Sequence, residues 1–246
     1  MNLHHVLALS RSEALLVWRN RAVLLTATAL PLALGGLMAL QGLPEDGALG
    51  GWASVITLQL EFVLLFAVYQ TATSTLVARR QDRQLSRLRT SDASDGEILA
   101  GLLAPVVLLG LLLVAALLAV TFAIQVPLPV APALLVAAAV TAAALCVAAA
   151  VLTSAYTRTA ESAQWVTMPF YVVFLGGAFW VLTVDPDDLQ VWHRLVPGGA
   201  TAELVQRAMT GAGSLADAVP AVVGTCLLAY LAAWAARRAF RWDART

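Results

Sequence analysis

Six stretches of about twenty mostly apolar residues recur along this chain of 246, and that is the length a helix needs to cross a hydrocarbon core. They run roughly Ala22–Leu40, Trp52–Ala78, Ile98–Ile124, Ala131–Thr153, Ser162–Val184 and Ala218–Ala236. Lipid offers the backbone no hydrogen-bond partner, so each stretch must close its own ladder as a helix. The fold class predicted is therefore all-α, a polytopic membrane protein with six transmembrane helices. Composition agrees: 60% of residues are hydrophobic and 12% charged, about half the charged share of a soluble domain. Pro31, Pro105 and Pro169 fall inside spans, where neighbouring helices can satisfy a freed carbonyl. Gly35–Gly36, Gly176–Gly177 and the alanines between Ala137 and Ala150 allow close helix contact.

Arginine counts orient the spans. The N-terminal segment holds Arg11, Arg19 and Arg21, and the second loop Arg79, Arg80, Arg83, Arg87 and Arg89. Arg158 lies in the fourth loop, and Arg237, Arg238, Arg241 and Arg245 in the tail. The other side keeps only Arg194 and Arg207. The positive-inside rule then puts both termini in the cytoplasm. Trp18, Trp165, Trp234 and Trp242 fall near the inner interface and Trp52, Trp180 and Trp192 near the outer one, as two aromatic belts.

The domain plan follows. Residues 1–21 form an N-terminal interfacial helix, with Leu3, Val6, Leu7, Ala14, Val17 and Trp18 on its apolar face. Residues 22–246 form the membrane domain, with a cytosolic loop at 79–97 and an external segment at 185–217. Within that segment TAELVQRAMTG reads as a short amphipathic helix carrying Leu204, Val205, Ala208 and Met209 on one stripe. Glu203 and Arg207 form an i,i+4 pair, and Gly211 suits the position just past the helix end.

Several chemistries are excluded. All fifteen basic residues are arginine, so there is no Walker A lysine, no Schiff-base lysine and no kinase strand lysine. The formal net charge is zero, which argues against nucleic acid as a partner. Cys146 and Cys226 stand apart in apolar stretches, and His4, His5 and His193 match no metal spacing. No catalytic residue and no metal site is expected.

The densest charge is the run RRQDRQLSRLR, five arginines between Arg79 and Arg89. Arg79 or Arg80, then Arg83 and Arg87, recur at helical spacing and predict one basic stripe, with Leu85 and Leu88 giving a small apolar contact beside it. Ser94 and Glu97 then predict a capping box before the apolar run from Ile98. Arginines so placed suit either anionic lipid head groups or a docking protein.

The order of these features resembles the membrane subunits of type-2 ABC exporters. The string RRQDRQLSRLRTSDASDGEILAG sets Leu85, Leu88, Arg89, Thr90, Glu97, Leu99 and Gly101 at the family's matching places, and RLVPGGATAELVQRAMTG resembles its segment before the last span. The resemblance implies a half-transporter coupled to a separate ABC ATP-binding subunit. That partner would carry ATP and Mg, with no cofactor on this chain. It would dock at Arg79, Arg80, Arg83, Leu85, Arg87, Leu88, Arg89 and Glu97, with a second contact at Tyr156–Glu161. A second copy or a paralogue would complete the path, in a bacterial cytoplasmic membrane. Hydrophobic drugs, antibiotics or lipids are the implied substrates.

Glu61 is the one ionisable residue well inside a span, where a carboxyl costs a few kcal/mol unless paired or facing water. Two readings stand. Glu61, with Thr57 on the same face and Tyr171 beyond it, lines the translocation path or the dimer seam; or Glu61 makes a structural hydrogen bond between helices. Rival functions are a non-transporting anchor, sensor or immunity component, and a proton-coupled carrier. A carrier would favour an inverted repeat, and none is visible between the first three and last three spans.

Overall fold

A computed structural model describes residues 49–88, 94–123, 127–184, 188–240 and 242, with 9–11, 13, 29, 33, 36 and 37 of the N-terminal part. Among the described residues the chain is all-helical. The first helix, α1 (Leu49–Val63), runs into a π-helical segment (Leu64–Gln70) and on into α2 (Thr71–Gln81). After the turn at Asp82–Arg83 come α3 (Gln84–Leu88), α4 (Asp95–Ala123) and α5 (Pro132–Tyr156). Two short pieces, α6 (Ala163–Val166) and α8 (Val191–Arg194), flank α7 (Met168–Leu182); α9 (Gly199–Thr210) and α10 (Leu215–Ala239) complete the order.

Among the described residues, five helical units are long and apolar enough to cross a membrane: Gly51–Gln81, Asp95–Ala123, Pro132–Tyr156, Ala163–Leu182 and Leu215–Ala239. Each coincides with a predicted span. The first predicted span, Ala22–Leu40, and most of the predicted interfacial helix lie outside the described residues. Pro105 is carried inside α4 without a break. Pro169 lies inside the fifth predicted span, within Ala163–Leu182, as expected. It opens α7, after Thr167 interrupts the helix, because proline lacks the N–H that only a first turn can spare.

The α1–π–α2 rod is the centre of the bundle, and α4, α7 and α10 leave wide apolar faces exposed. Tyr69 of the π-helical segment shares a hydrogen bond of 2.9 Å with Thr153 of α5. Gln70 accepts from Thr167 at 2.7 Å and Leu65 O from Tyr171 at 3.1 Å. Gln70 and Tyr171 are thus helix-to-helix contacts. Trp165, Trp180, Trp192 and Trp234 are exposed, whereas Trp52 and Trp242, expected in the aromatic belts, are buried and pack in the core.

The largest departure from expectation is α9. The predicted amphipathic helix with one apolar stripe is buried on every side from Gly199 to Met209, packed among α5, α1, α7 and α10. Glu203 and Arg207 pair with each other inside the bundle, whereas Thr201 Oγ1 and Gln206 Oε1 are buried without a hydrogen-bond partner among the described residues. The two local details expected of it are present. Arg207 Nε meets Glu203 Oε1 at 2.9 Å, and Gly211 closes the helix at φ 70°.

Candidate functional site

Two places concentrate charge in this apolar bundle. The first lies where α2, α4, α5 and the N-terminal segment end together. Arg80 is 1% exposed; its Nη1 donates to Ser154 O at 2.9 Å and its Nη2 to Thr157 O. Both acceptors belong to the last turn of α5, whose carbonyls lack intrahelical donors and carry the negative end of the helix dipole. One guanidinium thus caps α5 from α2. Beside it, Gln81 Oε1 accepts from Ala160 N at 3.2 Å, so the Arg80–Gln81 pair clasps the whole Thr157–Ala160 turn.

Arg79 turns the other way. Its Nη2 meets Glu13 Oε2 at 2.7 Å and its Nη1 donates to Gln84 Oε1. Ser10 Oγ donates to Gly101 O of α4 at 3.1 Å. The described residues of the N-terminal segment are therefore tied to this same end. Leu85 is buried with Leu88 packed against the core, as the apolar contact expected. Ser94 N donates to Glu97 Oε2 at 3.0 Å, the glutamate half of the predicted capping box at the start of α4.

The predicted basic stripe is not there. Arg83 has φ 55°, a left-handed conformation that stops a helix, so α2 ends at Gln81 and α3 starts afresh. Arg80 points inward, Arg79 sideways to Glu13, and Arg83 is exposed. The side chain of Arg87 and all of Arg89 lie outside the described residues. Glu13, Gln81, Gln84, Ser154 and Thr157 went unnoticed in the sequence. Only Glu13, a carboxylate in an arginine-bearing leader, carried a readable signal.

The second place is interior. Glu61 is 0% exposed, and neither carboxylate oxygen has a hydrogen-bond partner among the described residues. Among the described residues no interhelical hydrogen bond to Glu61 is present. The carboxyl lies against Gly198, the residue before α9: a Cβ there would stand 3.1 Å from Glu61 Oε1 and collide with the Phe174 carbonyl. Thr57 bonds back to Ala53 O at 2.7 Å, and Tyr171 is spoken for by Leu65. Glu61, Thr57 and Tyr171 are all buried within the single chain, so none presents to an outer surface. Gln59 faces away toward α4, where Thr121 donates to it at 3.1 Å.

Gly198 has φ 85°, which a side chain adopts only under strain. Gly198→Ala is expected to cost about 1–3 kcal/mol from backbone strain, with the collision added; thermal unfolding of the detergent-solubilised chain reads it.

Across α9 from that point, Glu203 is held by two arginines. Arg194 donates from Nε at 2.7 Å and from Nη2 at 3.0 Å; Arg207 donates from Nε at 2.9 Å. Arg207 Nη1 also donates to Ala212 O at 3.1 Å. The hydrogen bonds to Glu203 raise the Arg194 guanidinium above its usual range. Arg194 and Glu203 are nine positions apart, a spacing with no helical meaning, so no local pattern announces the pair.

A bundle of long apolar helices, with buried charge gathered at one helix-end junction and around one interior helix among the described residues, defines a multi-pass membrane protein. The family comparison is specific: residues 24–237 match the model of the ABC-2 family transporter protein. The chain belongs to that family, as a permease subunit of a type-2 ABC transporter. Such subunits are membrane components that normally work with an ATP-binding subunit and are generally not catalytic themselves. A search of curated proteins finds no match to the chain.

Proposed function

We propose that this chain forms the translocation path of an ATP-driven exporter and receives its motion at the Arg80 junction. In this reading six spans cross a bacterial cytoplasmic membrane with both termini in the cytosol. A separate ATP-binding subunit docks beneath α3 and the Tyr156–Glu161 turn, and a second copy or a paralogue faces this one. Drugs, antibiotics or lipids are the cargo class.

The observation that carries the proposal is the clasp of Arg80 and Gln81 on the end of α5. A push delivered to either cytosolic turn reaches the other through a buried cation, and so reaches the central rod and α5 together. Packed elements transmit such displacements as units. Glu97 extends the connection by fixing the start of α4.

Co-expression with ATP-binding subunits encoded nearby, then affinity purification and an ATPase assay, tests this. An ATPase is expected to co-purify. Reversing charge at two arginines of the loop, Arg83→Glu with Arg87→Glu, should weaken that association about tenfold. If no ATPase co-purifies, the coupling proposal fails; if the reversed variant binds and transports as before, the arginines serve lipid and not the partner.

A further inference from the structure

Hydrogen-bond accounting among the described residues fails in one region. Four buried side-chain atoms lack a partner: Glu61 Oε1 and Oε2, Thr201 Oγ1 and Gln206 Oε1. Two belong to α9 and the other two to the carboxyl set against its first residues. Elsewhere the buried polar groups are matched, since such groups left unmade are costly. The seam between α1 and the start of α9 is therefore a place with polar capacity that the chain does not use.

The character of that capacity is narrow. Two of the four atoms belong to one ionisable carboxyl, and Gln206 Oε1 can only accept. Among the described residues no basic side chain pairs with that carboxyl: Arg80 is engaged with the α5 carbonyls, and Arg194 and Arg207 with Glu203. Around the carboxyl the surroundings are apolar and aromatic. Phe174, whose carbonyl lies against Gly198, sits tilted against Phe170 with ring centroids 5.4 Å apart; Phe170 meets Tyr69 at 4.5 Å, and Phe66 meets Tyr171 edge-on at 5.1 Å. Cys146 of α5 lies within electrostatic reach of Glu61 as well as of the Tyr69 and Tyr171 hydroxyls, which joins the carboxyl to this cluster. A carboxyl without a partner in an apolar interior rich in aromatic rings is suited to a cation with an apolar body, because the charge pairs with the carboxylate and rings attract the rest.

In this conformation α9 covers the carboxyl. The helix is bounded by Gly198 at φ 85° and by Gly211 and Gly213 at φ 70° and 76°, residues able to absorb backbone rotation at its two ends. Lifting its first turn would uncover Glu61 without disturbing the Arg194–Glu203 pair behind it.

We propose that the α1–α9 seam is a cargo site and that Glu61 is its selecting group, taking hydrophobic molecules that carry a protonated amine. This rests on the permease reading above and adds the substrate chemistry to it. Thr201 supplies a hydroxyl on the first turn of α9, and α9 acts as the plug over the bound amine.

The test uses the full chain in lipid nanodiscs and two probes: dansylcadaverine, an aromatic primary amine, and its uncharged N-acetyl derivative. Wild type should bind the amine at least about tenfold tighter than the acetylated probe. Glu61→Gln should abolish the preference while leaving the acetylated probe's affinity unchanged, and Glu61→Asp should keep part of it. Equal binding of both probes by wild type, or a preference that survives Glu61→Gln, overturns the proposal. A second readout needs no variant. Dicyclohexylcarbodiimide labelling of Glu61, read by peptide mass spectrometry, should be blocked by the amine and not by the acetylated probe; labelling unaffected by the amine overturns the site. These assays involve no ATPase, so a failure here is separate from a failure of the coupling proposal.

Discussion

The Glu203→Ala chain unfolds at least about 3 kcal/mol more readily than wild type, as measured by circular dichroism during thermal or denaturant unfolding in detergent. Removing one partner of a buried pair leaves its countercharge stranded, and that costs more than the pair itself contributes. Here two guanidiniums are stranded at once. Glu203 is 1% exposed in its side chain and Arg207 9%, while Arg194 at 16% regains some water, which keeps the effect near the lower end. The consequence reaches past stability. Arg194 belongs to α8, Glu203 and Arg207 to α9, and the Arg207 guanidinium reaches Ala212 ahead of α10. Loss of the carboxylate frees three elements together. Glu203→Gln keeps an acceptor without the charge and should recover part of the loss; a Glu203→Ala chain as stable as wild type would show that the network is idle.

The Arg80→Ala chain is the second large loss, about 3 kcal/mol, since hydrogen bonds to a charged donor contribute about 1.5–3 kcal/mol each and two buried carbonyls are left bare. Arg80→Lys should restore less than half. A lysine is a point charge on a flexible stem and cannot span Ser154 O and Thr157 O as a planar fork does. The neighbouring Arg79→Ala should cost no more than about 1 kcal/mol, because Arg79 and Glu13 are a partly exposed pair. Equal effects at positions 79 and 80 would refute the inward placement of Arg80. With an ATPase partner bound, Arg80→Ala should also lower the coupling of hydrolysis to transport, whereas Arg79→Ala should not.

Much of the fold was legible because lipid demands continuous apolar helices, and runs such as Ile98–Ile124 leave no other option. Local rules also read well where they involve neighbours on one helix: Glu203 with Arg207, Gly211 at the helix end, Ser94 with Glu97. Azimuth was not legible. Periodicity placed Arg80, Arg83 and Arg87 on one stripe, but a left-handed Arg83 resets the helix, and no pattern in the string announces it. Nor could hydrophobicity disclose that α9 is buried. Its Thr201, Glu203, Gln206 and Arg207 look solvated until Arg194, on another element, is brought to Glu203. Glu61 was conspicuous as a carboxyl in a span, yet its isolation and its proximity to Gly198 exist only in three dimensions.

The π-helical stretch between Leu64 and Gln70 acts as a key cut into the central rod. Glu61 and Arg80 are nineteen positions apart, so on an unbroken α-helix they would point about 100° away from each other. A π turn takes up an additional residue and unwinds the helix by about that angle. The two groups are thereby brought to one side of the rod, where α5 meets them with Cys146 near the carboxyl and Ser154 at the guanidinium. A single helix thus sets the phase between the buried acid and the cytosolic clasp, and a chain shortened by one residue in this stretch would put them out of phase while leaving every span intact.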